Sequence, residues 1–278
     1  MRKFAIGAAV SGALALSALA VPSASAATPD LTFSNVVVNN GKAIVVGTTS
    51  TVKVPITYTL THPADLVIDN KTNIAGIALY RGSSLSKMQN EMESDDIPSC
   101  TTASTTATTV TNSCTEVIAI EPQDYLYSTS DAGTWKVAGF YGRSTSTTDD
   151  SGDHLSFEYG YDMWGGLGTT QVKRAAKLTT DATPEPVKKG QTLTVKGALT
   201  RADWETTKYS GYTGQPVVLQ FKAKNATAYK TVKTVTSAAK GALTTTVKAS
   251  ADGSFRYRFA GTATTGAATA TGDYVDVK

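Results

Sequence analysis

The chain has 278 residues, of which 41% are hydrophobic and 18% are charged, and it contains two cysteines and two histidines. Charge divides it: residues 27–178 hold 10 Lys/Arg against 16 Asp/Glu, net −6, whereas residues 179–278 hold 14 against 7, net +7. Because the basic half lacks a dense Lys/Arg cluster interleaved with aromatics and the acidic half would repel phosphate, the composition argues against a nucleic-acid partner.

Residues 1–26 are predicted to be a cleaved secretory signal peptide. Two basic residues precede an apolar run at residues 4–21, and Ala24-Ser25-Ala26 forms a small-residue cleavage pattern. The alternative, a membrane anchor, would need a stop-transfer pattern, and no later run of about 18 apolar residues is present to span a bilayer. We therefore expect a secreted, extracellular chain of about 250 residues without a transmembrane anchor, enough for two ordinary domains.

Residues 27–178 are predicted to form an acidic β-sandwich domain with insertions, because valine alternates with polar residues at the period of half-buried strands. Pro55 favours an edge position for the strand that contains it. Residues 83–93 are expected to make a short helical turn. The strand candidates are residues 33–38, 43–47, 52–60, 64–69, 74–80, 116–121, 135–140 and 170–177.

Cys100 and Cys114 are predicted to form a disulfide, since an even, closely spaced pair in an exported protein is most simply oxidised. The alternative, a nucleophilic or metal-binding thiol, needs partners, and no histidine lies nearby in sequence. The Thr/Ser-rich segment between the two cysteines is interpreted as an exposed loop.

Catalytic motifs are missing from the sequence: it has no G-x-S-x-G elbow, no H-E-x-x-H helix and no P-loop. His62 is interpreted as a turn residue and His154 as a polar-loop residue, although a Ser-His-Asp triad is recognised by geometry rather than by order. Paired carboxylates of a glycosidase leave no distinguishing spacing in a sequence. We expect a protein that is not an enzyme, and a small extracellular hydrolase stays open as an alternative.

Asp149, Asp150 and Asp153 surround Gly152 and are the candidate calcium ligands. Calcium takes six to eight hard oxygen ligands, which loop carboxylates and carbonyls supply well. A second acidic run covers residues 91–96. Because both runs lack the EF-hand spacing, solvated acidic loops are the competing interpretation, and no other cofactor is indicated.

The run EYGYDMWGG places Tyr159, Tyr161 and Trp164 just after the acidic loop, in a glycine-rich stretch that we judge ill-suited to a buried strand. Flat aromatic rings beside acids are typical of a sugar-binding surface, through stacking and hydrogen bonds. The competing interpretation is that the rings pack into the core, since aromatic side chains bury large areas.

Residues 179–278 are predicted to form a basic, immunoglobulin-like sandwich of about seven strands. Residues 244–261 are interpreted as a hairpin, with Ala251-Asp252-Gly253 as its turn and a positive φ at Gly253. Alternation in its second strand predicts that Phe255, Tyr257 and Phe259 point to one face and that Arg256 and Arg258 point to the other.

The second half resembles the C-terminal Ig-like domain repeated across many secreted proteins of Gram-positive soil bacteria. The resemblance rests on KKGQTLTVKGALTRADW, residues 209–215, VVLQF and the terminal TATGDYVDV, and covers roughly residues 178–278. It implies a fold and an extracellular setting. It implies no catalytic residues, and a sandwich supports many functions.

Residues 200–215 form an unusually long, aromatic connection for a hairpin. Trp204, Tyr209 and Tyr212 are candidate ligand-binding residues there. The competing interpretation is a compact arm held by its own side chains, with Trp204 and Tyr212 as anchors.

The leading hypothesis is a secreted, non-enzymatic binding, adhesion or accessory protein of the cell envelope or extracellular space. The expected partner is a cell-wall polymer, a polysaccharide or an extracellular protein, and an anionic wall polymer suits the basic half. A hydrolase with an Ig-like accessory module and a calcium-dependent binding protein are the alternatives.

Overall fold

The structure, a computed structural model, describes residues 28–69, 72–94, 96–143 and 159–278, with only the backbone described for residues 159–161. Nearly all regular secondary structure in these ranges is β-strand. Valine and threonine are frequent in the strands because their branched side chains suit an extended, pleated backbone. The predicted all-β fold class is confirmed.

The first half forms a two-layered sandwich. Its strands are β1 (Thr32–Val38), β2 (Ile44–Val46), β3 (Val52–Pro63), β4 (Asn73–Gly82), β5 (Met88–Met92), β6 (Ser99–Thr105), β7 (Thr109–Ile120), β8 (Gly133–Arg143), β9 (Tyr159–Trp164) and β10 (Thr169–Arg174). One sheet has the order β1-β3-β7-β6, and the other has the order β2-β10-β8-β4-β5, with β9 paired to β8. This corresponds to the A-B-E-D sheet of an immunoglobulin-like fold facing a sheet built on C, F and G.

The second half repeats this design on a smaller scale. Its strands are β11 (Ala176–Leu178), β12 (Asp181–Thr183), β13 (Thr192–Asp203), β14 (Lys208–Gly211), β15 (Pro216–Ala223), β16 (Lys230–Thr236), β17 (Ala242–Lys248), β18 (Gly253–Phe259), β19 (Ala268–Thr269) and β20 (Asp273–Val275). Strands β12 and β17 flank β13, whose far end pairs with β11 and β14. The opposite sheet runs β16-β15-β18, and β18 then pairs with β19 and β20. The predicted immunoglobulin-like sandwich is confirmed here as well.

Helical segments in the described residues are short. They are α1 (Pro122–Tyr125) and four single 3₁₀ turns at Asn39–Gly41, Leu85–Lys87, Thr129–Asp131 and Ala239–Gly241. The predicted helical turn within residues 83–93 is therefore reduced to one 3₁₀ turn, and β5 follows it directly. The strand predicted at residues 64–69 is absent from the structure, which has a turn and irregular backbone there.

The interpretation of residues 244–261 as a hairpin is wrong. Strand β17 pairs with β13 and β18 pairs with β15, so the chain crosses from one sheet to the other between them. Gly253 does not have a positive φ; a Cβ there would lie 2.4 Å from the Lys222 carbonyl oxygen, so the close approach of two strands requires glycine. The predicted alternation is confirmed, and the face that is buried carries Phe255, Tyr257 and Phe259.

The predicted disulfide is confirmed, but the segment it closes is not a loop. Cys100 on β6 lies directly opposite Cys114 on β7, with a Cα–Cα distance of 4.1 Å. The Thr/Ser-rich segment is thus a hairpin at the edge of the four-stranded sheet. Its threonines are compatible with strand because each branched side chain favours extended backbone.

The edge position predicted for the strand with Pro55 is wrong, because β3 lies between β1 and β7. The pairing with β1 ends at Val38 and Ile56. Pro55 lies one residue beyond it, so the missing N–H of proline interrupts no ladder with β1. An inner strand tolerates proline at this place for that reason.

Hydrogen bonds tie the connection between the halves to both of them. Arg174 N donates to Thr264 O at 3.0 Å, and Ala175 N donates to Val46 O at 2.8 Å. Strand β11, which follows, pairs with β13 in the second half. The predicted domain boundary between residues 178 and 179 remains a prediction, and strand pairing begins just before it.

Candidate ligand-binding surface

Trp204 and Tyr209, two of the predicted binding residues, pack between the halves. Trp204 is 4% exposed, belongs to the core of the first half and donates from Nε1 to Gly47 O at 2.9 Å. A Cβ on Gly47 would lie 3.2 Å from the Tyr209 hydroxyl, and Lys177 Nζ lies 3.8 Å from the Tyr209 ring centroid. The structure therefore favours the compact arm over the binding loop for residues 200–215, and Trp204 offers no exposed ring face to a sugar.

Tyr212, at the end of the same arm, packs against the core of the second half. Its ring meets Phe259 edge to face, with centroids 5.8 Å apart. The guanidinium carbon of Arg201 lies 4.0 Å from the Tyr212 ring centroid. Tyr212 is thus an anchor that also carries a cation, rather than a free stacking platform.

Tyr159, Tyr161 and Trp164 lie on β9, which pairs with β8, although the glycine-rich sequence was judged ill-suited to a buried strand. The half-buried ring of Trp164 lies 5.9 Å, centroid to centroid, from that of Phe33 in the core. The side chains of the two tyrosines lie outside the described part of the chain. A sugar-binding role for this run therefore remains a prediction.

Two other predicted features fall outside the described residues. One is the signal peptide, residues 1–26; the other is the acidic loop with Asp149, Asp150, Asp153 and His154. In the described ranges, no three His, Cys, Asp or Glu side chains are grouped so as to hold a metal ion. Within the same ranges, no helix combines the length and apolar character needed to cross a bilayer. Calcium binding remains a prediction.

His62 lies within β3 and is buried, so its interpretation as a turn residue is wrong. Its Nε2 accepts from Asn112 Nδ2 at 3.1 Å, which places the ring proton on Nδ1, 2.9 Å from Pro63 O. The side chain is 5% exposed and both ring nitrogens are engaged. This geometry orients no nucleophile.

Glu116 is a carboxyl group enclosed in the first sandwich that sequence reasoning missed. Its Oε1 accepts from Ile77 N at 2.9 Å, and its Oε2 has no hydrogen-bond partner in the described residues. Burial raises the pKa of Glu116 to about 8, and burial with the nearby carboxylate also raises the pKa of the Tyr58 hydroxyl. Because the group is only 7% exposed, it bears on stability rather than on contact with a substrate.

The outer face of β15 and β18 carries a cluster of cations around a tyrosine. We call it the cation-tyrosine face, and its members are Lys222, Lys224, Tyr229, Arg256 and Arg258. Side chains alternate between the two faces of a strand, so the arginines of β18 point outwards where its aromatic residues point inwards. The cluster therefore follows from the same alternation that builds the core.

Arg256 is held in place from two directions. Its guanidinium carbon lies 3.7 Å from the Tyr229 ring centroid, and its Nε donates to Gln220 Oε1 at 2.9 Å. Lys222 Nζ lies 5.3 Å from the same centroid. Tyr229 itself is seated closely, because a Cβ on Gly272 would lie 2.2 Å from its hydroxyl. The ring thus positions two cations side by side.

One carboxylate borders this face. Asp252 Oδ2 lies 3.5 Å from Lys224 Nζ, in an exposed ion pair. Asp252 Oδ1 accepts from Val277 N at 2.9 Å, and this backbone hydrogen bond is the main cause of its lowered pKa. Asp252 is therefore engaged at the edge of the face, and Lys222, Arg256 and Arg258 lack such a carboxylate in the described contacts.

This arrangement is suited to binding an anion. The bond to Gln220 uses Nε of Arg256, which leaves the two terminal nitrogens able to donate in parallel to a phosphate or carboxylate. Stacking on Tyr229 lowers the entropy lost when the guanidinium is immobilised by a ligand. The face contains no general acid or base beside a nucleophile.

The predicted binding residues did not include this face. The sequence was interpreted as lacking a dense Lys/Arg cluster interleaved with aromatics in this half, whereas the fold brings Lys222 and Arg256 to the Tyr229 ring. The alternation in FRYRF already places Arg256 and Arg258 on the outside, and that signal was available. Tyr229 follows a turn between β15 and β16, and its contact with a strand further along the chain depends on sheet order, which no local pattern encodes.

No family model and no curated protein match the chain. Solved structures similar to it include the D00-D0 domain of intimin, with 12% identity over 86% of this chain and 98% of that one, at a TM-score of 0.26. The mouse nectin-like molecule 4 ectodomain shares 14% identity over 90% of this chain, which spans 64% of the ectodomain, at a TM-score of 0.23. An adhesin from Mobiluncus mulieris shares 9% identity over 90% of this chain and 99% of that one, at a TM-score of 0.24. Scores this low identify no shared fold, so the fold rests on the strand pairing.

Proposed function

We propose that the chain is a secreted, extracellular, non-enzymatic binding protein whose cation-tyrosine face binds an anionic polymer. The observation that carries the proposal is Arg256, stacked 3.7 Å from the Tyr229 ring centroid and hydrogen-bonded to Gln220 through Nε. A long side chain at an exposed position is ordinarily free to rotate. Here it is fixed with its anion-binding end outward, as recognition of a phosphate or carboxylate requires.

The charge of the second half supports the same partner. Residues 179–278 carry 14 Lys/Arg against 7 Asp/Glu, and the face gathers four of these cations. Single exposed ion pairs contribute only about 0–1 kcal/mol, so one anionic group would bind weakly. A polymer brings several groups to one surface and raises affinity through effective concentration.

The proposal is tested by binding of the mature chain, residues 27–278, to immobilised polyphosphate, polygalacturonate and neutral dextran. We expect binding to the two polyanions and weaker binding at higher salt, since the screening length falls from about 10 Å at 0.1 M to about 3 Å at 1 M. The double variant Lys222→Gln/Arg256→Gln should lose most of this binding.

The matched control is Lys189→Gln/Lys196→Gln, which removes two exposed lysines of the same half away from the face. This control should retain binding, because it lowers net charge equally without touching Tyr229 or Gln220. Equal loss in both variants would reduce the interaction to general charge attraction. Absence of polyanion binding by the unmodified chain would overturn the proposed function.

A further inference from the structure

Three rows on the outer face of the four-stranded sheet in the first half are built almost wholly from hydroxyl side chains, and we call these three rows the hydroxyl face. Its three rows across β1, β3, β7 and β6 are Thr32-Thr61-Thr111-Ser104, Ser34-Thr59-Ser113-Thr101 and Val37-Thr57-Thr115-Ser99. Eleven of these twelve side chains are serine or threonine, and all twelve are exposed or half-buried. The face is therefore an accessible array of donors and acceptors.

The array is regular in two directions along the inner strands β3 and β7, whereas β-bulges lie between Ser34 and Val37 in β1 and between Thr102 and Ser104 in β6. Neighbouring strands lie about 4.7–4.9 Å apart, and alternate residues of one strand lie about 6.6–6.8 Å apart. Hydroxyl groups therefore recur at about 5 Å along a row and, on β3 and β7, at about 7 Å between rows. A partner that matches this array must itself present donors and acceptors at repeated intervals.

The twelve positions of the hydroxyl face carry no charge, and Lys53 of β3 lies on the same side of the sheet beyond the three rows. Soluble surfaces are about 25–35% charged, so about three or four charged side chains are expected among twelve positions. None is present, although residues 27–178 contain 10 Lys/Arg and 16 Asp/Glu. An uncharged surface neither attracts nor repels ions, which favours an uncharged partner.

Contacts within the face hold its hydroxyl groups in place. Thr61 Oγ1 and Thr111 Oγ1 are 3.1 Å apart across β3 and β7, and Asn35 Nδ2 donates to Thr59 Oγ1 at 3.3 Å. On the opposite side of the sheet, the Cys100–Cys114 disulfide joins the edge strand β6 to β7. The array is thus fixed in register up to its edge.

We propose that the hydroxyl face binds a neutral polysaccharide chain. Each hydroxyl group both donates and accepts, as the hydroxyl groups of a sugar do, and the threonine methyl groups offer apolar contact to sugar C–H groups. Neighbouring strands rotate by about 20–25°, which a flexible chain follows and a rigid planar lattice does not. Packing against the same face of a second copy would need the apolar side chains by which sheets stack.

The test is affinity electrophoresis of residues 27–278 in native gels that contain dextran, mannan, galactomannan or mixed-linkage β-glucan. Migration is compared with that in a gel without polysaccharide. We expect retardation by at least one of these glycans, unchanged by Lys222→Gln/Arg256→Gln. The variant Thr59→Lys/Ser113→Lys, which places two charges in the middle row, should abolish it.

The matched control is Thr231→Lys/Thr234→Lys, which adds the same two charges to β16 in the second half. Circular dichroism melts check that all variants fold. Migration unaffected by all four glycans would overturn the proposal, as would retardation that survives Thr59→Lys/Ser113→Lys or is lost equally in the control. Self-association that Thr59→Lys/Ser113→Lys abolishes, without retardation by a glycan, would overturn the proposal in favour of a second copy of the chain as the partner. None of these results depends on polyanion binding by the other half.

Discussion

The hydroxyl face and the cation-tyrosine face have different chemistries and lie on different sheets of the two sandwiches, the first on β1-β3-β7-β6 and the second on β16-β15-β18. The hydroxyl face holds eleven Ser/Thr among twelve positions and no charge. The cation-tyrosine face holds four Lys/Arg, two of which, Lys222 and Arg256, lie at the Tyr229 ring. Because an antiparallel sandwich constrains only its inward residues, the outward set is free to diverge. The two faces therefore suit different partners although the halves share a fold.

Net charge does not forecast this difference. Residues 27–178 contain 16 Asp/Glu, yet none lies on the hydroxyl face. The basic half does place cations on one face, but they are organised by a ring contact rather than by number. Local placement of charge, not its sum, distinguishes the faces.

The largest expected effect comes from weakening the contact between the halves at Trp204. Trp204→Ala deletes a ring that is 4% exposed in the first core although it is carried by the second half. Buried Trp→Ala substitutions cost about 3–5 kcal/mol. We expect calorimetry to show a lower melting temperature and two separated transitions.

The matched variant Trp204→Phe keeps most of the apolar contact and loses the Nε1 hydrogen bond to Gly47. Its cost should be about 0.5–1.5 kcal/mol, with a single transition. Equal melting temperatures of Trp204→Ala and the unmodified chain would contradict a packing role for Trp204.

The second prediction concerns the pH dependence of stability, which we expect to differ between the two cores. The folded state holds the proton of Glu116 up to about pH 8, whereas the ordinary pKa is 4.5. Between these values the unfolded state binds fewer protons, so stability falls as pH rises, by about 1.4 kcal/mol per pH unit. The contribution of Glu116 is fully present below pH 4.5 and lost by about pH 8.

Glu116→Gln stays neutral at every pH and removes this slope. Urea unfolding from about pH 5 to 8 should show a difference in unfolding free energy, variant minus unmodified chain, that grows with pH. The second core buries no carboxyl group among its described residues. Its buried Tyr257 hydroxyl donates to Val195 O, and burial raises the pKa of this hydroxyl to about 12, above the pH range of the experiment. A pH-independent difference would show that Glu116 is already ionised in the fold.

The smallest expected effect concerns how the cation-tyrosine face is held. Tyr229→Leu keeps an apolar contact and removes the ring beneath Arg256. Exposed cation-π contacts contribute about 0.5–1 kcal/mol, so affinity for polyphosphate should fall about two- to fivefold. Tyr229→Phe should retain the affinity, since phenylalanine also offers a ring face. Calorimetric titration distinguishes these outcomes, and equal affinity of all three proteins would contradict a positioning role for the ring.

The sequence predicted features that depend on neighbouring residues. Alternation predicted that Phe255, Tyr257 and Phe259 share one face, which is the buried one, and an oxidising extracellular setting predicted the Cys100–Cys114 disulfide. The same period puts Glu116 in phase with buried isoleucines of β7, so its burial was encoded in a signal that its charge obscured.

What the sequence did not predict depends on pairing between distant strands. A turn with glycine looks the same in a hairpin and in a crossover, so β17 and β18 were wrongly paired. The rows of the hydroxyl face combine four strands, and their register appears only when the sheet is assembled. Tyr229 and Arg256 meet for the same reason.

The most direct test of two faces with two chemistries is a crossed binding measurement on one chain. Polyphosphate and the retained neutral glycan are each titrated against the unmodified chain, Lys222→Gln/Arg256→Gln and Thr59→Lys/Ser113→Lys, at about 0.1 M and 1 M salt. We predict that the first variant and high salt remove only polyphosphate binding, and that the second variant removes only glycan binding. Loss of both ligands in either variant, or equal salt sensitivity of both, would contradict the account.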